Sequence, residues 1–126
     1  MTVTVNQGLI PAKWAALTPD RQALYDVPND RRVSWRELDE MVRRLANGLR
    51  RLGLGSGDRV AMLARNCVEY QALFFAAGRA GLVTQPLNWR LAVPALTEIL
   101  RDAAPRVVAT AAEFADTAAA LQRELD

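Results

Sequence analysis

Short apolar segments alternate with helical segments from residue 34 onward, and this order restricts the fold more than any other feature. The clearest strand is 59–64, which is apolar nearly throughout, as a strand covered on both faces would be. Two more strands are predicted at 82–85 and 106–109. Strands separated by helices pair in parallel through right-handed crossovers. We therefore expect an α/β fold, with helices flanking a mostly parallel sheet of at least three strands.

The best-defined helix is predicted to begin after Ser34, because Ser34 and Glu37 have the spacing of a capping box. Its apolar residues recur every three or four positions, and Gly53 is the expected end. Other helices are predicted at 10–17, at 68–80, from Pro94 to just before Pro105, and at 111–125. Before the first long helix, residues 23–27 and 32–33 are candidate arms of a hairpin. Residues 1–9 are expected to be a loose lead-in to a single domain, 10–126.

Composition excludes several classes of site. The chain has 126 residues, of which 51% are hydrophobic and 24% charged, as in a soluble globular domain. It contains one cysteine, so no internal disulfide forms, and no histidine. A Ser-His-Asp triad, a Cys-His pair and a zinc site held by histidine or several thiolates are therefore absent.

Charge and hydropathy indicate neither a membrane nor a nucleic acid. The net charge is only +2, and Lys13 is the single lysine among 16 basic residues, a bias typical of a GC-rich genome. No apolar run is long enough for a transmembrane segment. The first residues, Met1 to Asn6, lack the basic start and apolar stretch of a signal peptide, so we expect a cytoplasmic protein.

Four features were weighed as functional sites, and each has a simpler interpretation. The run Gly53–Gly57 follows a helix and precedes a strand, the reverse of a phosphate loop, and is interpreted as a helix cap and turn. Cys67 lies where a strand hands over to a helix, but no histidine is present to activate it, which favours a passive side chain. Two basic pairs, Arg43-Arg44 and Arg50-Arg51, are interpreted as a solvated helix face. The tryptophans are interpreted as core or interface anchors: Trp14, Trp35 and Trp89.

A family resemblance covers roughly residues 10 to 112. It is carried by Val33–Leu38, Arg44–Leu49, Leu52-Gly53, Gly57–Ala61, Asn66 with Glu69, Ala80-Gly81, Gln85–Leu91, and Leu96–Asp102 followed by Arg106–Val108. In order and spacing, these segments resemble the N-terminal signature of AMP-forming adenylating enzymes, which include acyl-CoA synthetases, firefly luciferase and the adenylation domains of peptide synthetases. The wording Asn-Trp-Arg-Leu is most similar to ligases that join fatty acids or other carboxylates to CoA. Two departures are Arg65, where the family usually has proline, and Val93-Pro94 in place of a Thr or Ser cap.

The resemblance implies an incomplete part of the family's large N-terminal domain. The parent enzyme would use ATP, Mg and CoA to activate a carboxylate as an acyl-adenylate and to transfer it to CoA. The family's phosphate loop, adenine motif, ribose-binding Asp, hinge and catalytic Lys lie downstream and have no match here. We therefore assign no catalytic, cofactor-binding or metal-binding residue to this chain, and we expect it to be inactive alone.

The remainder of the ligase chain is the expected partner, whether the segment is an excised piece or a shortened reading frame. Without it we expect self-association. The alternative is a stand-alone, non-catalytic interaction module on the same scaffold. A third reading, a small flavodoxin-like ligand-binding domain, is disfavoured because its glycines would be in the wrong place.

Overall fold

The computed structural model describes residues 5–126, and the part of the predicted lead-in from Met1 to Thr4 lies outside the described residues. Its elements are α1 (Ile10–Leu17), β1 (Gln22–Asp26), β2 (Arg31–Ser34), α2 (Trp35–Arg51), β3 (Arg59–Leu63), α3 (Val68–Arg79), β4 (Val83–Pro86), α4 (Val93–Ala103), β5 (Val107–Thr110) and α5 (Ala115–Leu125). Short 3-10 helices occupy Gln7–Leu9 and Ala112–Phe114. The predicted order of strands and helices is thus confirmed.

The main sheet has three parallel strands in the order β4-β3-β5, and β1 and β2 form a separate antiparallel hairpin. β3 is central, and Val60, Ala61, Met62 and Leu63 are each at most 1% exposed. The predicted cover on both faces of this strand is confirmed. Within the described residues, β4 and β5 each pair on one side only.

The two faces of the sheet are covered by different helices. Because side chains alternate along a strand, Val60 packs with the apolar residues of α2 and α3. Ala61 and Leu63 pack instead with Leu96, Leu100 and Leu121, which belong to α4 and α5. The connection from β3 to β4 therefore crosses one face, and the connection from β4 to β5 crosses the other.

The predicted capping box begins α2. The Ser34 hydroxyl accepts from the Glu37 backbone N–H at 3.3 Å, and the Glu37 carboxylate accepts from the Ser34 N–H at 2.7 Å. The Ser34 N–H, followed by its hydroxyl, holds the pKa of Glu37 below its usual range. Two donors at the start of α2 are thereby satisfied, which fixes where the helix begins.

The loop between α2 and β3 is the predicted cap and turn. Gly53 and Gly57 have φ of +81° and +86°, in the left-handed region that favours glycine. The Asp58 carboxylate accepts from the Gly55 N–H at 2.7 Å and lies 3.2 Å from Arg106, and the Gly55 bond is the main cause of its lowered pKa. These contacts tie the loop to the amino end of the sheet.

Residues 7–9, which belong to the expected lead-in, form a short 3-10 helix. Gly8 is buried against α3, where Arg79 Nε donates to its carbonyl at 2.9 Å. Arg79 in turn pairs with Asp39 of α2 at 2.7 Å. A Cβ on Gly8 would lie 2.1 Å from the backbone nitrogen of Arg79, so only glycine permits this close approach of the two backbones.

The predicted helix at 111–125 begins later than expected. The Ala111 N–H donates to the Leu63 carbonyl at 3.0 Å, which extends the contact between β5 and β3 by one residue. Ala111 therefore keeps an extended backbone, and the chain passes through the turn Ala112–Phe114 before α5 starts. The sequence pattern of alanines does not reveal this turn.

We predict that Gly57→Val lowers the free energy of unfolding by roughly 1 kcal/mol or more, because valine is strained at positive φ. No atom lies within 4 Å of the added Cβ, so backbone strain is the only expected cause. Thermal denaturation measures the change. The control is Gly55→Ala in the same loop, where φ is not positive and the nearest atom is 4.0 Å away. Equal stability of the two variants would contradict the argument.

Candidate functional site

The carboxyl ends of β3 and β4 diverge into opposite layers of the fold. After β3 the chain turns toward α3 on one face, and after β4 it turns toward α4 on the other. Neighbouring parallel strands whose connections leave in opposite directions open a crevice at their carboxyl ends, where ligands of open α/β sheets bind. Topology therefore marks this edge before any side chain is considered.

A cleft of about 490 Å³ lies at this edge. Its walls come from the segment after β3, from the segment after β4 and from the first turn of α3: Ala64, Arg65, Asn66, Tyr70, Leu87, Asn88, Trp89 and Arg90. Burial raises the pKa of the Tyr70 hydroxyl, which is protonated at neutral pH in any case and can donate a hydrogen bond.

Two guanidinium groups lie over one indole ring in this cleft. The Cζ atoms of Arg90 and Arg65 are 4.1 and 4.5 Å from the Trp89 ring centroid. Trp89 is half-buried, packs against the core beneath α4 and α5, and contacts Phe114 at a centroid distance of 6.0 Å. Trp89 thus packs against the core, as its interpretation as a core or interface anchor predicts, and it also lines the cleft.

The two arginines differ in their partners. Arg65 Nε lies 3.3 Å from the Glu113 carboxylate. Among residues 5–126, no carboxylate lies within ion-pair distance of Arg90. The Arg90 backbone N–H donates to Asn88 Oδ1 at 3.1 Å, which shapes the loop after β4. A guanidinium that has no carboxylate partner in the described part of the chain suits a phosphate.

Comparison with known proteins identifies the scaffold that carries this cleft. The profile of the family described as AMP-binding enzyme matches residues 11–126. The chain belongs to this family. The resemblance to AMP-forming adenylating enzymes is thereby confirmed.

Two curated relatives of this chain are CoA ligases. A feruloyl-CoA synthase of an Amycolatopsis species is 42% identical over 118 residues, which are 92% of this chain and 24% of the relative. The long-chain-fatty-acid–CoA ligase FadD13 of Mycobacterium tuberculosis is 35% identical over 121 residues, 96% of this chain and 24% of the relative. The chain thus spans about a quarter of the length of these relatives.

The fold of the chain matches the N-terminal domain of such enzymes. The inhibitor-bound crystal structure of the N-terminal domain of FACL13 from Mycobacterium tuberculosis superposes with a TM-score of 0.91 at 34% identity. The match covers 98% of this chain and 31% of that one. The predicted fold, an α/β part of the large N-terminal domain of an acyl-CoA synthetase, is confirmed.

The basic pairs of α2 and the tryptophans Trp14 and Trp35 lie outside the cleft. Arg43, Arg44, Arg50 and Arg51 are exposed on α2, where Arg44 pairs with Glu40 and Arg50 donates to the Arg79 carbonyl. This arrangement agrees with a solvated helix face. Two further features, Trp14 and Trp35, pack together with ring centroids 6.1 Å apart.

Neither a metal centre nor a membrane span is found in the described part of the chain. Between residues 5 and 126, no three side chains of the His, Cys, Asp and Glu types gather as metal ligands would. No helix in the same range combines the length and the hydropathy that crossing a bilayer requires.

Sequence reasoning missed Arg65 and Arg90 as partners in one site. Arg65 was seen only as a departure from the family's usual proline, and Arg90 only as part of the Asn-Trp-Arg-Leu wording. Both arginines follow predicted parallel strands, and the carboxyl ends of such strands meet at one edge of the sheet. That position is the sequence signal that places Arg65 and Arg90 in one site.

Cys67 is the cap of α3. Its sulfur accepts from the Tyr70 N–H at 3.4 Å, so it satisfies one of the free donors of the first helical turn. Neighbouring Glu69 has a lowered pKa, chiefly because Arg31 of β2 donates a hydrogen bond to it. No histidine exists to act as a base for the thiol, so the geometry agrees with the passive interpretation.

We predict that Cys67→Ala lowers the free energy of unfolding by about 0.5 kcal/mol, since the helix loses its cap. Cys67→Ser should be at least as stable as the natural chain, because a hydroxyl is a better acceptor at this position. Urea denaturation of the two variants measures the difference. A serine variant no more stable than the alanine variant would show that the cap contributes nothing.

Proposed function

We propose that this chain is the N-terminal portion of an AMP-forming ligase that joins a carboxylate to CoA. In that reaction a carboxylate oxygen attacks the α-phosphorus of ATP and pyrophosphate leaves. The CoA sulfur then attacks the acyl carbon, and AMP leaves. The proposal is supported by the family match, by the CoA ligases among the relatives and by the quarter of their length that the chain spans. Under this proposal the enzyme is cytoplasmic, and its substrate is a fatty acid or another carboxylic acid.

The cleft is the part of the segment that faces a ligand of the ligase. The observation that carries this role is the Arg90 guanidinium, which lies 4.1 Å from the Trp89 ring at the carboxyl edge of the sheet and has no carboxylate partner among residues 5–126. Both co-substrates of the reaction, ATP and CoA, bear phosphates and an adenine ring. Arginine binds phosphate through paired hydrogen bonds.

The segment alone is proposed to be inactive. The family's phosphate loop, adenine motif and catalytic Lys have no counterpart in its sequence, so the segment lacks the groups that would hold ATP during adenylyl transfer. The remainder of the ligase supplies these parts and serves as the partner. Magnesium would be bound there, together with ATP.

A second candidate is a stand-alone, non-catalytic module. The observation that favours it is the complete cover of β3, because helices of this same chain bury both faces of that strand. The open edges of β4 and β5 favour the first candidate, since unpaired edges recruit further strands.

We predict that the 126-residue chain does not bind ATP. Calorimetry with Mg-ATP up to millimolar concentration should give no saturable heat. Saturable binding in the micromolar range would overturn the assignment of the nucleotide site to the downstream chain.

We also predict that the isolated chain associates with itself, because the outer edges of β4 and β5 are unpaired and Val83 is 48% exposed. Light scattering should show oligomers or aggregates. A monodisperse monomer with a cooperative melt and strand amides that exchange slowly would instead favour the stand-alone module.

We predict that Arg90→Ala, in the longer ligase that carries this segment, raises the KM of one phosphate-bearing co-substrate. The loss of a charge-assisted hydrogen bond should raise that KM by roughly tenfold or more. Steady-state kinetics with ATP, CoA and the carboxylate varied in turn identifies which co-substrate the cleft binds. The carboxylate KM should not change, and Arg43→Ala on α2 is the control for removal of an exposed arginine. Unchanged KM values for both ATP and CoA would overturn the role of the cleft.

A further inference from the structure

The loop after β5 reaches the cleft from the far side of β3. Thr110 pairs with Leu63, and the Ala111 N–H donates to the Leu63 carbonyl at 3.0 Å. The turn Ala112–Phe114 therefore begins beside the end of β3, next to the segment that carries Arg65. Although it does not line the cleft, this turn is held at its border by the sheet itself.

Two consecutive residues of the turn contact two different components of the cleft. Glu113 Oε2 lies 3.3 Å from Arg65 Nε, and the Phe114 ring packs on Trp89 at a centroid distance of 6.0 Å. Because Phe114 is fixed against the indole, the backbone of the turn presents Glu113 to Arg65. The packing of Phe114 therefore holds Glu113 close to Arg65.

The pair is placed where a ligand can open it. The Arg65 and Glu113 side chains are 60% and 47% exposed, and exposed ion pairs are weak. Arg65 faces the same ring as Arg90, which has no carboxylate partner within residues 5–126. Both arginines line the cleft, so a phosphate held there can compete with Glu113 for Arg65.

We propose that Glu113 is a positioning residue that competes with the ligand's phosphate for Arg65 and so sets the affinity of the cleft. This inference rests on the proposed function, because it takes the ligand to be a phosphate-bearing co-substrate of the ligase. A phosphate carrying two charges displaces the single carboxylate from Arg65, whereas a monoanion gains less from the exchange. Glu113 thereby makes binding selective for the more highly charged group.

The test is Glu113→Gln in the longer ligase, which removes the charge and keeps the size of the side chain. At constant ionic strength, the KM of the co-substrate identified with Arg90→Ala should fall about two- to fivefold, the range expected for one exposed ion pair. The kcat should not change. Separate titrations of ATP and CoA show which co-substrate supplies the phosphate.

Three further variants separate competition from a structural effect. Glu113→Asp keeps the carboxylate and should retain the KM of the unsubstituted enzyme. In an Arg65→Ala background, Glu113→Gln should have no effect, because the group that the two anions share is gone. Glu98→Gln, at an exposed position of α4, is the control for loss of a negative charge elsewhere.

The failures of the two proposals are distinguishable. If the longer ligase without substitutions forms no acyl-CoA, the proposed function fails and this inference fails with it. If Arg90→Ala raises the KM but Glu113→Gln leaves it unchanged or raises it, only the competition by Glu113 is wrong. An effect of Glu113→Gln that persists without Arg65 would also overturn the inference.

Discussion

The rest of the structure depends on the burial of β3 on both of its faces. A strand with residues as apolar as Val60 to Leu63 requires cover above and below, and one helical layer cannot provide it. The chain meets this requirement by sending α2 and α3 to one face and α4 and α5 to the other. To do so, it must change faces at β4, because α3 before this strand and α4 after it lie on opposite faces. The same change of faces opens the crevice at the carboxyl edge, so the demand of the core for cover creates the place where a ligand fits.

Most of the fold follows from local patterns in the sequence. Residues close together in the chain determine three features that the structure contains. They are the alternation of strands and helices, the capping box of Ser34 and Glu37, and the turn at Gly57. The errors occur where a distant contact decides. Gly8 accepts a hydrogen bond from the Arg79 side chain, 71 residues away, and α5 starts late because the Ala111 N–H donates to Leu63 of β3. Propensity and periodicity carry no information about such contacts.

The candidate site was much less predictable than the fold. Arg65, Trp89 and Glu113 lie on three separate loops, and only the strand order β4-β3-β5 brings the loops together. That order cannot be derived from the spacing of elements, because a third parallel strand can add on either side of the first pair. The sequence shows each of these residues as an ordinary loop residue, and their joint chemistry appears only in three dimensions.

The burial of Gly8 against α3 determines where the N-terminal boundary of such a domain can lie. A boundary drawn at Ile10, as the helical pattern suggests, would remove the segment that shields the backbone around Gly78 and accepts a hydrogen bond from Arg79. Arg79 would keep Asp39 as its partner, but its guanidinium would face water instead of a carbonyl. Any recombinant version, fusion or circular permutation of this segment therefore has to retain residues 6–9, even though they precede the first helix and belong to no strand of the sheet.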